Sequence, residues 1–435
     1  MNAKSWKPKV ATSLVLRFNG HEDLQKQLTK SQKHGATDNT VRKILGQVKL
    51  TESPNTIMFS LLYDEILKTS DVIVVKVGTN VLSRENGLLD EPRIVQICSD
   101  LCRMIEQKKR VVLITSGATG AGMGLLKLTE RPTEVAELQA VAAIGQGKLI
   151  ETYAQILRLY GVTCAQILLT ADDLSNRESY LNARNTILTL LNLGVLPIIN
   201  ENDTVSVARL HMTFGDNDRL AALVANLFDY PLLILLTDVD GLFDRDPKEP
   251  DAKLIPVVGQ WSSDLMQMVV EKRSNRSKGG MSSKLKAAKM IISSGGNVII
   301  ANGDREDTLR RIFTAQETGT VFLTQNDFLT ARKRWLGFAV QSQGRLILDD
   351  GAVNALVKKG KSLLPVGVLN ADGSFERGEI VSLVDLQNKE IGRGLTNYGL
   401  QDVLRICGKK TSELCEIIGH NFYAEVIHRD NMQLF

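Results

Sequence analysis

Aromatic residues make up only 5% of this 435-residue chain, and histidine occurs 5 times. A non-specific binder of single-stranded nucleic acid stacks bases on aromatics interleaved with basic residues, and a triad hydrolase needs a paired imidazole. Neither pattern is present. The 5 cysteines contain no CxxC pair. Cys98 and Cys102 stand one helical turn apart, with no matching His or Cys cluster, which excludes a zinc module. All the cysteines read as reduced thiols in a cytoplasmic compartment. The formal charge of +4 is too small to imply a nucleic-acid or membrane partner by itself. No apolar run reaches membrane-spanning length.

What is present is an ordinary globular composition, 43% hydrophobic and 23% charged, in a chain long enough for two or three domains. Met1–His21 carries Lys4, Lys7, Lys9 and Arg17 and no acidic residue. It is similar to a basic targeting segment but lacks a strong Arg/Ser bias and a clear amphipathic face. The whole stretch 1–70 is therefore read as an extension without an assigned role. From Asp71 the texture changes. "DVIVVKVGTNVL" is a short β-branched run ending in a glycine turn, and "RVVLITSGATGAG", "VTCAQILLT", "GVLPIINEND", "PLLILLTDVDGL" and "GGNVIIANGD" repeat the design. Helix-period segments separate them, at Glu91–Gln107, Glu134–Leu159, Leu181–Leu193, Asp216–Leu227 and Met281–Ser294. The alternation predicts an α/β fold, a mainly parallel sheet sandwiched by helices. After about Leu323 come short runs with many glycines and close turns, which predict a small β-rich domain. The expected organisation is an extension over 1–70, an α/β domain over 71–325, a linker over 326–340 containing "ARKRW", and the β-rich domain over 341–435.

In such sheets ligands collect at the carboxyl ends of the strands. The polar knots all fall there: Gly78-Thr79-Asn80, Ser116-Gly117-Ala118, Asn200–Asp203 and Thr237-Asp238. Glycine-rich strand-to-helix turns favour phosphate, because free N–H groups and the helix dipole attract anions. Two common phosphate templates are absent. Gly147-Lys148 and Gly360-Lys361 lack the upstream Walker glycine, which is Ala142 and Ala355, and the glycines of "GATGAGMG" miss the Rossmann spacing. Another kit remains. "SKGGMSSKLKAA" sets Gly279, Gly280, Ser282, Ser283 and Lys284 at a helix start. Lys76 lies inside the first strand, where an ammonium is costly unless it meets an anion.

Taken in order, "VVKVGTNVL", "ITSGA", "LNARNT", "PIINENDTV", "GDNDRLAALVA", "LLTDVDGLF" and "GGMSSKLKAA" resemble the glutamate 5-kinase branch of the amino acid kinase family. "RKRWLGF" and the following "GRLILDDGAV" and "GKSLLPVGV" resemble the PUA domain that follows the kinase in many members. The resemblance runs from about Asp71 to the end. It implies transfer of a phosphoryl group from ATP, arriving with Mg²⁺, to the side-chain carboxylate of L-glutamate, the first step of proline synthesis. The acceptor has an unperturbed pKa near ~4.3 and is already ionised, so the lack of a histidine base fits. Carried over by position, Lys76 and Lys284 stabilise the transferring phosphoryl group and Asp218 orients both. Ser116, Asp203 and Asn217 bind the amino-acid substrate, with Asp216 beside them in a substrate or metal role. Lys76, Gly78, Thr237, Asp238, Lys278, Gly279, Gly280, Met281, Ser282, Ser283 and Lys284 form the nucleotide site. No protein cage for a metal is implied. "LTADDLSNRESYLNARNT" keeps the family's outline but varies in charge, and it lies near the region linked in the family to feedback inhibition by proline, which is expected here; a homodimer or homotetramer is expected as well.

Lys278 departs from the family, which usually has threonine there. The rival readings within the fold are acetylglutamate, aspartate, carbamate and uridylate kinases, against which "INENDTV" followed by "GDNDRLAA" and a PUA tail speak. A reading of another class is an RNA-associated protein, through the PUA domain and the basic Arg332-Lys333-Arg334. So short a cluster reads more simply as a solvated linker. His211, between two polar knots, reads as a loop residue, and His420 and His428 as structural.

Overall fold

The computed structural model describes residues 54–205, 217–262, 265, 280–316, 318–324, 331–418 and 423–435. Met1–His21, His211, Asp216, Lys278, Gly279 and His420, for which expectations were stated above, lie outside these residues. The chain divides into two compact units, Met1–Thr170 with Asn182–Phe328, and Ala171–Leu181 with Leu329–Phe435. No described helix is long and apolar enough to cross a membrane.

The first unit is built on β1 (Val72–Val77), β2 (Arg110–Ile114), β3 (Cys164–Leu169), β4 (Leu196–Glu201), β5 (Leu232–Thr237), β6 (Val257–Val258), β7 (Asn297–Asn302) and β8 (Thr320–Phe322). Their order in the sheet is β3-β4-β2-β1-β5-β7-β8-β6. Pairing is parallel from β3 through β7. Only β8 turns antiparallel to β7, and β6 pairs parallel with β8. All six residues of β1 are buried, as expected of a β-branched run at the centre of a sheet covered on both faces. The helices Glu91–Glu106, Val135–Leu159, Asn217–Ala225 and Met281–Ser294 fall where the 3.6-residue periodicity puts them, within a few residues. In the helix Arg177–Asn192 the start precedes the expected Leu181 by a turn. There, Asn176 Oδ1 accepts from the amides of Glu178 and Ser179, so an asparagine cap begins the helix before its apolar repeat does.

The stretch without an assigned role contributes to this core. The helix Pro54–Thr69 buries Phe59, Leu62, Tyr63 and Ile66 in the same cluster as Val75 and Leu101. Tyr63 donates its hydroxyl proton to the carbonyl of Thr318. The glycines that miss the dinucleotide spacing have a packing use instead. A Cβ on Gly122 would lie 2.0 Å from the carbonyl oxygen of Val141, and one on Gly145 would lie 1.9 Å from that of Ala118. Only glycine lets the helices Ala118–Leu126 and Val135–Leu159 approach this closely.

The second unit carries β9 (Gly344–Leu348), β10 (Val368–Gly373), β11 (Ile380–Val384), β12 (Glu390–Leu395) and β13 (Met432–Leu434), in the order β10-β9-β11-β12-β13. Its own core includes Leu346, Val381, Leu383, Val403 and Ile427. Asp349 caps the helix Asp350–Lys359 by accepting from the amide of Ala352 at 2.6 Å. Of the basic stretch expected to be solvated, Lys333 is half-buried and Arg334 is built in. Arg334 is 0% exposed, and Trp335–Ala339 forms a π-helical turn with Trp335, Leu336, Gly337 and Ala339 buried. The buried apolar residues that follow the charges draw Arg334 inside. Arg177 lies over the Trp335 ring at 5.0 Å, so Ala171–Leu181 takes part in this unit rather than in the first.

Candidate active site

The parallel register brings the carboxyl ends of β1, β2, β4 and β5 to one edge of the first unit's sheet. Every described candidate from a strand end lies there. Gly78 follows β1, Ser116 follows β2, Asp203 follows β4 and Thr237 closes β5. The helices Asn217–Ala225 and Met281–Ser294 present their first turns, with Asn217, Asp218, Ser283 and Lys284.

Asp218 is the centre. It is 1% exposed. Its Oδ1 lies 2.8 Å from the Nζ of Lys76, and its Oδ2 lies 3.3 Å from the Nζ of Lys284. Ser283 donates its hydroxyl proton to the same Oδ2 at 2.6 Å. Lys76 is 5% and Lys284 7% exposed, so two cations from distant parts of the chain share one buried carboxylate. Burial alone would raise the pKa of Asp218. The two ammonium groups and the Ser283 bond outweigh it and hold the carboxyl below its ordinary range.

A second polar cluster lies beside the first. Asn217 donates through Nδ2 to the Thr115 carbonyl at 2.9 Å, the Ser116 hydroxyl at 2.8 Å and, more loosely, Asn200 Oδ1 at 3.3 Å. Asn200 in turn donates to Gln146 Oε1 at 2.9 Å. These bonds fix the orientation of the Asn217 amide. Its Oδ1 is buried and has no hydrogen-bond partner among the described residues. Asp203 is buried in the turn after β4. Sequence reasoning marked the Asn200 knot but assigned no role to Asn200 or Gln146. Gln146 is one of three glutamines in the helix Val135–Leu159, and nothing local marks which of them faces the site.

On the other side, Asn80 donates to Asp238 Oδ2 at 2.8 Å, and the Thr237 hydroxyl donates to Asp238 Oδ1 at 3.0 Å. Burial pushes the Asp238 carboxyl up, but these donors and the nearby Lys284 charge bring it below its ordinary range. The amide of Gly78 donates to the Leu236 carbonyl at 3.2 Å. A Cβ on Gly78 would stand 3.3 Å from that oxygen and 3.6 Å from Lys76 Nζ. Gly280 caps the helix Met281–Ser294, with Met281 and Ser282 half-buried in its first turn. The arrangement is a pair of buried cations with phosphate-compatible turns on one side and amide and carboxylate groups on the other.

Residues 71–302 match the model of the amino acid kinase family, and residues 344–418 match that of the PUA domain. A glutamate 5-kinase of Caldanaerobacter subterraneus subsp. tengcongensis is 47% identical over 361 residues, which span 83% of this chain and 96% of the relative. One from Rhodopirellula baltica is 44% identical over 370 residues, spanning 85% and 95%. Among solved structures, an isopentenyl phosphate kinase covers 58% of this chain and 99% of its own at TM-score 0.40 and 18% identity. A carbamate kinase from Giardia lamblia bound to AMP-PNP covers 59% and 99% at TM-score 0.43 and 17% identity.

Proposed function

The chain belongs to the amino acid kinase family, in its glutamate 5-kinase branch, and from that premise we propose that its site moves the γ-phosphoryl group of ATP onto the side-chain carboxylate of L-glutamate. The observation that carries this reading is the pair Lys76 and Lys284 on the two oxygens of Asp218. The acceptor is a carboxylate with an unperturbed pKa near ~4.3, ionised at neutral pH, so the chain need not supply a base. What the reaction requires is alignment and charge stabilisation. Asp218 fixes the direction of both ammonium groups, and the lack of a side chain at Gly78 keeps the backbone beside Lys76 Nζ clear for a phosphate. Asn217 supports the choice of an amino acid as acceptor. Its donors are already engaged, and its Oδ1, buried and without a partner among the described residues, is suited to accept from an ammonium group. Ser116 and Asp203 complete the acceptor side.

Thr237, Asp238, Lys278, Gly279, Gly280, Met281 and Ser282, with Lys284, form the nucleotide side of this reading. Magnesium, when bound, neutralises phosphate charge and is carried largely by the nucleotide's own oxygens. The ionised carboxylate of Asp238 fits a hydrated cation of that kind. Feedback by proline belongs to the same reading. It is supported by the likeness of Leu169–Thr186 to the family segment linked to that control.

The test is acyl phosphate formation trapped with hydroxylamine. The expected result is a hydroxamate that requires both ATP and glutamate and falls as proline is added. Turnover indifferent to glutamate would overturn the substrate assignment. Salt-sensitive RNA binding without turnover would favour the RNA-associated reading instead.

A further inference from the structure

Ser283 belongs to the stretch read above as nucleotide-binding, yet its hydroxyl is turned the other way. Among the described residues, the single hydroxyl proton has as acceptors Asp218 Oδ2 at 2.6 Å and the Gly280 carbonyl at 3.1 Å. A bond to a carboxylate is shorter and about twice as strong as one to a neutral carbonyl, so the proton goes to Asp218. This creates an asymmetry in the centre of the site. Oδ1 serves Lys76 at 2.8 Å, whereas Oδ2 gives its close contact to a neutral hydroxyl and holds Lys284 only at 3.3 Å. The two lysines are thus bound to one carboxylate with unequal grip.

We propose that Ser283 is a positioning residue that occupies Asp218 Oδ2 and thereby keeps the Lys284 ammonium from closing onto the carboxylate, so that Lys284 is directed toward the transferring phosphoryl group. The inference rests on the kinase reading of the site. Its chemical content is competition for one oxygen. Without the hydroxyl, Lys284 settles against Oδ2 at ordinary ion-pair distance, and part of its field is spent on Asp218 in the ground state. A cation stabilised equally before and during transfer adds nothing to kcat. Among the described residues, the charged groups acting on Asp218 are Lys76 from β1 and Lys284 from the helix Met281–Ser294.

The experiment is steady-state kinetics of the full chain with Ser283→Ala, Ser283→Thr and Ser283→Cys. Ser283→Ala is expected to lower kcat about tenfold or more, the scale of a hydrogen bond to a charged group, with the KM values for ATP and glutamate within about twofold of wild type. Ser283→Thr keeps the hydroxyl and is expected to restore kcat. Ser283→Cys keeps the size with a weak donor and falls between, which preserves the test if the alanine variant folds poorly. In a Lys284→Ala background Ser283→Ala is expected to change kcat by less than about twofold, because the residue acts through that lysine. A rise in KM for ATP at constant kcat would make Ser283 a nucleotide contact and overturn the proposal. Kinetics insensitive to Ser283→Ala, or full multiplication of the two effects in the double variant, would overturn it as well. Absence of acyl phosphate from the wild-type chain would instead overturn the kinase reading itself.

Discussion

Asp218 balances two buried ammonium groups, so replacing it with asparagine acts on chemistry and stability together. Turnover is expected to vanish because neither lysine is oriented. Stability is expected to fall by about 3–5 kcal/mol, the usual consequence of stripping a buried charge of its counter-ion. Denaturant melts beside hydroxamate assays separate the two effects. The pH dependence follows from the lowered carboxyl. Its folded pKa lies below the unfolded value of ~3.9, so its contribution is complete above about pH 4 and is lost as pH falls through the folded value. Wild type should therefore lose stability on acidification below about pH 4 more steeply than Asp218→Asn, as read from denaturant unfolding at a series of pH values. Equal slopes would remove Asp218 from the acid response. For the lysines, Lys76→Arg and Lys284→Arg are each expected to lower kcat by on the order of 10²–10³ despite unchanged charge, because a planar fork cannot replace a compact ammonium. The double variant should be less impaired than the product of the singles, since both act on one group. Unchanged kcat with a raised KM for ATP would make them ground-state anchors.

At the scale of elements, the helix pair Ala118–Leu126 and Val135–Leu159 depends on Gly122 and Gly145. Gly145→Ala would place a methyl 1.9 Å from the Ala118 carbonyl, so the helices must separate. A loss of about 1–3 kcal/mol is expected. Because Ser116 directly precedes the first of these helices, the KM for glutamate should rise along with the fall in Tm. An unchanged Tm would show that the crossing has slack. The helix Pro54–Thr69 gives a second case, with Tyr63→Ala expected to cost about 3–5 kcal/mol in thermal or denaturant unfolding. These elements show where a sequence is readable. The strands announce themselves because β1, β5 and β7 are continuous apolar runs ended by glycine or polar turns, and the parallel sheet follows from their alternation with helices. Lys76 is legible because a charge inside such a run demands a partner. The partner itself comes from 142 residues further along, which no local pattern encodes, and only the resemblance pointed to it. The close contact of Gly122 with Val141, the amide chain from Gln146 through Asn200 to Asn217, and the burial of Arg334 are tertiary facts with no periodic signature.

For the molecule as a whole, ending the chain after Gln325 removes β9 to β13 but none of the residues assigned to phosphoryl transfer. The expected outcome is a folded protein with measurable turnover. One local change should accompany it. Arg177 and the helix Ala171–Ser175 lose the Trp335 turn against which they pack, so limited proteolysis should cut within Ala171–Leu181 in the shortened chain and spare it in the full one. A shortened chain that is folded but inactive would show that the second unit completes the site.

The burial of Lys76 near the carboxyl end of the central strand also has an evolutionary consequence. Its ammonium is tolerable there only while Asp218 answers it, so neither residue can drift alone without the core suffering. A descendant that no longer needed the reaction would escape the constraint only by changing Lys76, Asp218 and Lys284 together, toward apolar side chains of similar volume. Retention of the three charges is thus enforced by the fold as well as by selection on the chemistry, and relaxed lineages should lose them together.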